Sequence, residues 1–191
     1  MEAVYELSLR AIGQTMNAQV RRDWLTKNPE SCYVVKHGDK VVAFFHLLPI
    51  KHDKLMEFMH GEIRGWDIKA DDIENFDTKN PLECLIIIAS EPDVNATTRK
   101  HYVTVLLRGI KRKLKELGER GVILKSFYAT SQTPTGIAMA MHAGMENSGI
   151  KASKIQKFVM HTENSKSFLL DDYKTAIKST NHQTTDLPNK R

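Results

Sequence analysis

The sequence predicts an α+β fold in which a mixed central sheet is flanked by helices, and three observations carry that prediction. Two runs rich in β-branched and aromatic residues, Cys32 to Lys36 and Val41 to Leu48, are separated by the turn sequence His37-Gly38-Asp39-Lys40 and so form a hairpin. A near-continuous apolar run, Leu82 to Ala89, has the length of a strand covered on both faces. A long amphipathic segment and a second apolar run, Val122 to Ala129, follow it, which is the pattern of a right-handed crossover between parallel strands.

Each element has its own signal. Val4, Leu7, Ala11 and Ile12 recur at helical spacing, so a helix is expected from Glu2 to about Gln19, with Trp24 after it and a break at Asn28-Pro29. Pro49 ends the second hairpin strand, and Asp53 is placed to cap a short helix that buries Leu55, Met56, Phe58 and Met59. Gly61 and Gly65 loosen the chain, and Trp66 to Pro81 reads as an acidic connector pinned by Ile68, Ile73 and Phe76. Ser90 to Lys100 is a polar loop. From His101 to Glu119, Tyr102, Val103, Leu106, Leu107, Ile110, Leu114 and Leu117 share one helical face, and Gly118 and Gly121 end the helix. Pro134 opens a helix running to about His142, Gly144 closes it, and Lys154 to His161 returns as a strand. The expectation is one domain over residues 1–173 and a polar, disordered tail over residues 174–191.

Composition excludes several classes. The chain has 191 residues, 41% of them hydrophobic, enough for a sizeable core. No apolar run approaches the roughly 20 residues needed to span a bilayer, and no basic segment precedes an apolar stretch at the N-terminus, so a cytoplasmic protein is expected. Cys32 and Cys84 each sit in a strand-like apolar run, which fits buried thiols better than a disulfide. The Asn95-Ala96-Thr97 triplet means nothing without secretion. The net charge of +5 is unevenly laid out: Arg99 to Lys125 holds nine Lys or Arg against two Glu, whereas Asp53 to Asp93 holds eleven acids against four bases. Such segments fit an anionic ligand on the basic stretch and a cationic one near the acidic stretch, or two solvated faces. Nucleic acid binding through Arg108, Lys111, Arg112 and Lys115 is disfavoured, because no aromatics interleave with them.

The order of elements resembles the GNAT superfamily of acetyl-CoA-dependent N-acyltransferases. The likeness spans roughly Ala3 to His161. It is carried by Leu82–Val94 as the central strand, Thr97–Leu107 as the loop and start of the cofactor helix, and Ile137–Met145 as a later helix ending in Gly144-Met145. The resemblance implies that Leu82–Ala89 and Val122–Ala129 splay apart so that the pantetheine arm of CoA lies between them. It also implies that the pyrophosphate meets free N–H groups at the helix mouth, and that a small-molecule or peptide amine attacks the acyl carbonyl. The cofactor-binding residues it implies are Ile88, Ala89, Ser90, Arg99, Lys100, His101, Tyr102, Val103, Thr104 and Thr130, with acetyl-CoA or CoA as co-substrate.

The chain also departs from the family pattern. Thr98 stands where the loop usually carries Arg or Gln, and His101 and Val103 stand where it carries Gly and then Gly or Ala. Ala140 occupies the place of the usual general-acid tyrosine, with Tyr102 and Tyr128 as candidate substitutes and Glu83 as a candidate base acting through water. No catalytic residue is assigned. These departures favour a second reading, a GNAT-shaped module that senses a ligand or binds a protein without transfer chemistry.

Other side chains point to structure. The eight histidines show neither an i, i+4 pair around a carboxylate nor a Cys-x-x-Cys companion, so no metal is expected. His46 reads as a partly buried histidine with one backbone partner. Met139, Met141 and Met145 read as core. Ser126, Ser131 and Thr133 lack the nucleophile-elbow pattern. A homodimer through exposed sheet edges is a further expectation.

Overall fold

Helices and strands alternate through residues 1–13, 15–150 and 155–185, which the computed structural model describes. Strands β1 (Cys32–His37), β2 (Lys40–Pro49), β3 (Leu82–Ser90), β4 (Leu124–Ser131), β5 (Glu146–Asn147) and β6 (Gln156–His161) form one sheet in the order β1-β2-β3-β4-β6-β5. Neighbours are antiparallel except β3 and β4, which run parallel as their helical crossover requires. Helices α1 (Glu2–Ile12), α2 (Ala18–Lys27), α3 (His52–His60), α4 (Ala96–Glu119), α5 (Pro134–His142) and α6 (Asp171–Thr185) complete the fold. No described helix is long and apolar enough to cross a membrane.

Period-two alternation along β2 divides the core. Phe45 and Leu47 join Cys84, Phe127 and the apolar stripe of α4 (Tyr102, Leu106, Ile110, Leu114, Leu117) on one face of the sheet. Leu48 and Ile50 join Trp24, Leu55, Met59, Leu85 and Tyr128 on the other, and Phe44 joins Val4, Leu7 and Ala89 beside them. Each fully buried large apolar side chain contributes about 1.5–3 kcal/mol. Ile68, Ile73 and Phe76 are buried, so the acidic connector is pinned at the expected positions, and Ile73 bridges Ile50.

Several boundaries differ from the sequence reading. The first helix is broken in two: Gly13 leaves it at φ 85°, a conformation other residues adopt at a cost, and the Asn17 side chain accepts from Val20 N to start α2. The third helix begins at His52, and Lys51, not Asp53, stands before it with no side-chain cap. The long helix begins at Ala96 instead of His101, because the Asn95 side chain accepts from Thr98 N; the second half of the expected polar loop, from Ala96 to Lys100, is the start of α4. The final strand begins at Gln156, and Lys154 lies outside the described residues. Of the three methionines, Met145 is buried, Met139 half-buried and Met141 63% exposed, so only one is fully core.

The tail expectation is also corrected, for the chain continues from Asp171 to Thr185 as α6. Its anchor is Tyr173, 1% exposed, whose hydroxyl accepts from Leu124 N at 2.7 Å and donates to Val122 O at 3.0 Å. Gly118 lets α6 come this close to α4: a Cβ there would stand 2.9 Å from Tyr173 O and 3.1 Å from Ala176 Cβ. These contacts involve few large apolar side chains, which is why composition alone hid the helix.

Candidate functional site

The central parallel pair comes apart. β3 and β4 are in register from Leu82↔Leu124 to Leu85↔Tyr128, and no rung follows, although β3 runs on to Ser90 and β4 to Ser131. Beyond that point β3 pairs only with β2, as far as Ser90↔Ala43, and β4 only with β6, as far as Ser131↔Gln156. Burial records the opening. Ile86, Ile87 and Ile88 are half-buried in the middle of the sheet, where the sequence predicted a strand covered on both faces, and Ala129, Thr130 and Ser131 across from them are half-buried too. The peptide groups along the facing edges therefore lack a strand partner across the gap.

Of the residues read as cofactor-binding, Ile88, Ala89 and Ser90 line one side of this opening, and Thr130 stands on the other. The helix mouth is placed differently from expectation. Because α4 starts at Ala96, the free N–H groups of its first turn belong to Ala96 and Thr97, with those of Thr98 and Arg99 taken by Asn95. His101, Tyr102, Val103 and Thr104 lie further along the helix. Lys100 and His101 are exposed there, Val103 and Thr104 are half-buried, and Thr104 donates its hydroxyl to the Lys100 carbonyl. Tyr102 points into the core, its hydroxyl 3.0 Å from His37 Nδ1, and so is not presented to the opening.

Arg99 has a different task from the one expected. Its Nη2 donates to the carbonyl of Pro92 and, at 3.3 Å, to that of Val94. The guanidinium thus ties down the loop entering α4. Beside it, Glu91 is nearly fully buried and takes salt bridges from Arg10 at 3.2 Å and Lys40 at 2.7 Å.

At the closed end of the gap lies a polar cluster that sequence reasoning found only in part. Glu83, the candidate base, is 6% exposed. Its Oε2 is 2.5 Å from His52 Nδ1, while its Oε1 is 3.3 Å from Lys125 Nζ and accepts from the Tyr128 hydroxyl at 3.4 Å. Ser126, fully buried, is 2.9 Å through Oγ from His161 Nδ1. Lys125 is the extra residue of a bulge, since Leu82 pairs Leu124 but Glu83 pairs Ser126.

Electrostatics assigns states to the pair. Burial alone would raise the Glu83 carboxyl, but the hydrogen bonds from His52 and Lys125 outweigh it and hold the group below its ordinary value. Burial and then the Glu83 charge push Tyr128 upward, so at neutral pH a phenol faces a carboxylate. Tyr128 sits on the last paired rung, and its hydroxyl donates to buried Glu83. Ala140, by contrast, is a buried side chain with no proton to give.

No protein-family model and no curated protein matches the chain by sequence. Solved structures do match its fold. A Drosophila melanogaster polyamine N-acetyltransferase that forms N-acetylagmatine aligns at TM-score 0.52 and 12% identity, covering 84% of this chain and 94% of that one. Ard1 from Thermoplasma volcanium aligns at TM-score 0.51 and 13% identity over 83% of this chain and 87% of its own. An N-acetyltransferase from Staphylococcus aureus Mu50 aligns at TM-score 0.50 and 10% identity over 83% and 90%. The chain has a GNAT-like fold, a mixed sheet flanked by helices.

Proposed function

We propose that this chain is an acyl-CoA-dependent N-acyltransferase that acts on an amine. The observation carrying the reading is the end of the β3–β4 ladder at Leu85↔Tyr128 beneath a helix mouth with free N–H groups. The residues present fit a CoA thioester: the facing edges of residues 86–90 and 129–131 offer peptide groups to the pantetheine amides, and Ala96 and Thr97 offer N–H groups to a pyrophosphate. Such a thioester supplies an activated acyl carbon.

The chain's own residues supply position and protons. Free peptide N–H groups at the gap orient the acyl carbonyl and stabilise negative charge on its oxygen. A neutral amine forms the new C–N bond as the C–S bond breaks. Tyr128 gives a proton to the leaving sulfur, and the proton released by the amine passes through solvent to restore the phenol. Glu83 keeps the phenol oriented; His52 and Lys125 occupy its oxygens, which makes it a positioning residue.

Calorimetry with acetyl-CoA, followed by a thiol-release assay over polyamines, aminoglycosides, peptides and amino acids, tests the reading. Binding with turnover on any amine supports it. Absence of binding at millimolar acetyl-CoA removes it. Binding without turnover selects the second reading, a ligand-sensing or protein-binding module, which Ala140 and the captured Arg99 favour.

A further inference from the structure

The buried face of α2 holds a cation without an anion. Arg21 is fully buried, and no carboxylate lies within salt-bridge distance of it among the described residues. Its Nη2 donates to two neutral oxygens, Ser8 Oγ at 2.9 Å and Thr15 Oγ1 at 2.7 Å, while Nε and Nη1 are buried with no hydrogen-bond partner. The guanidinium lies over the Phe44 ring, 5.2 Å from its centre. Burial pulls its pKa down to about 10, the neighbouring Cys32 opposing, so it remains charged at neutral pH.

His46 beside it is equally unprovided. The ring is fully buried against Trp24 and Phe44, and neither nitrogen has a hydrogen bond of normal geometry, the Ser31 backbone acting on the ring in the sense opposite to burial. Burial first, then the charge of Arg21, depresses it to about 3, so the ring is neutral. A buried cation with idle donors next to a neutral ring with idle nitrogens is costly unless something else satisfies them.

Position names the ligand. Phe44 pairs with Ala89 and His46 with Ile87, both on the part of β3 that has left β4. Paired residues share a face, so Phe44 and His46, with the Arg21 guanidinium over Phe44, lie beside the stretch of β3 that borders the opening. An acceptor seated on that face of the gap has Arg21 on its β2 side.

We infer that Arg21 binds the carboxylate of the acceptor, which makes the acceptor an amine that also carries a carboxylate, such as a free amino acid. This rests on the acyl-transfer reading above. The hydroxyls of Ser8 and Thr15 hold the place of carboxylate oxygens in the ligand-free chain, and half-buried Thr15 is the one a ligand displaces. His46 then serves the same carboxylate as a neutral donor.

The test has two arms. In thiol release with acetyl-CoA, free amino acids are compared with their amides and with the matching decarboxylated amines. At least one acid should exceed its amide about 30-fold in kcat/KM, and Arg21→Met should collapse that ratio by raising KM for the acid. In the second arm, without CoA, thermal unfolding is followed in acetate and glycine against equal chloride. The carboxylates should raise the melting temperature of the wild type more than chloride does, and the effect should vanish in R21M. Should R21M fail to fold, R21K takes its place, since an ammonium cannot reproduce the guanidinium's donors. Equal use of acids and amides overturns the inference, as does a carboxylate effect that survives the substitution. Chloride acting as strongly as carboxylate also overturns it, by marking a site for any small anion. If no acceptor gives turnover the acyl-transfer reading fails by itself, and the unfolding arm still decides whether Arg21 takes a carboxylate.

Discussion

Tyr128 donates to Glu83 from the last rung that joins β3 to β4, so a phenol and a carboxylate stand where the sheet divides. The bond is long at 3.4 Å, and burial and the Glu83 charge together keep the tyrosine protonated. A bond this long contributes little to folding.

From that follows the first expectation, for Tyr128→Phe. Thiol release should fall about 100-fold in kcat, the scale of a lost general acid. The melting temperature should change little, because a weak neutral donor is removed without opening a cavity. Turnover at the wild-type rate would exclude Tyr128 as the proton source.

Arg99 makes a different prediction. It is bonded to the carbonyls of Pro92 and Val94, so its task is to shape the loop before α4. Arg99→Lys keeps the charge but loses the planar fork, and it should weaken CoA binding about tenfold, as Arg99→Ala does. Titration calorimetry checks this. Wild-type affinity in the lysine variant would instead mark a direct charge contact with phosphate.

Acid stability should depend on Glu91. Burial would raise its pKa, but Lys40 and Arg10 outweigh that and hold it below the ordinary carboxylate value. The folded state thus binds this proton less readily than the unfolded chain. The stabilisation is complete above the unfolded value of about 4.3 and is lost as pH falls through the lower folded value. Urea unfolding from pH 7 to pH 3 should show a flatter acid decline in Glu91→Gln, which should also be about 1–2 kcal/mol less stable at pH 7. An unchanged slope would remove Glu91 from the acid response.

Tyr173 provides a test of α6. Tyr173→Phe removes one acceptor and one donor from buried main-chain groups of Leu124 and Val122, and should cost about 1–3 kcal/mol in chemical denaturation. Gly118→Ala should cost a comparable amount by forcing α6 away from α4. A neutral result in both would mean that residues from Asp171 onward add nothing to stability.

The fold was readable where apolar pattern decides structure. Leu82 to Ala89 and the stripe from Tyr102 to Leu117 gave the strand and helix that frame the site. The pattern was silent where polar residues fold for local reasons: Ala96 to Lys100 carries no apolar period, and the helix begins there because Asn95 caps it. The half-exposure of Ile86 to Ile88 was equally invisible, since an isoleucine at an opening looks the same in sequence as one in a core. Glu83 was visible as a carboxylate on β3, but its partners were not. His52 arrives from the start of α3, and Lys125, itself exposed, arrives because a bulge adds it to β4 beside Glu83. Arg21 and His46 meet through tertiary packing of α2 on β2, for which spacing gives no cue.

The shortened ladder has a mechanical consequence. β1-β2-β3 and β4-β6-β5 are two leaves, and four rungs at one end are the spine of their main-chain binding. Where the main-chain rungs stop, side chains take over: Phe45, Leu47 and Cys84 of one leaf and Phe127, Phe158 and Met160 of the other share a single core with α4, so the two are joined by packing on that face.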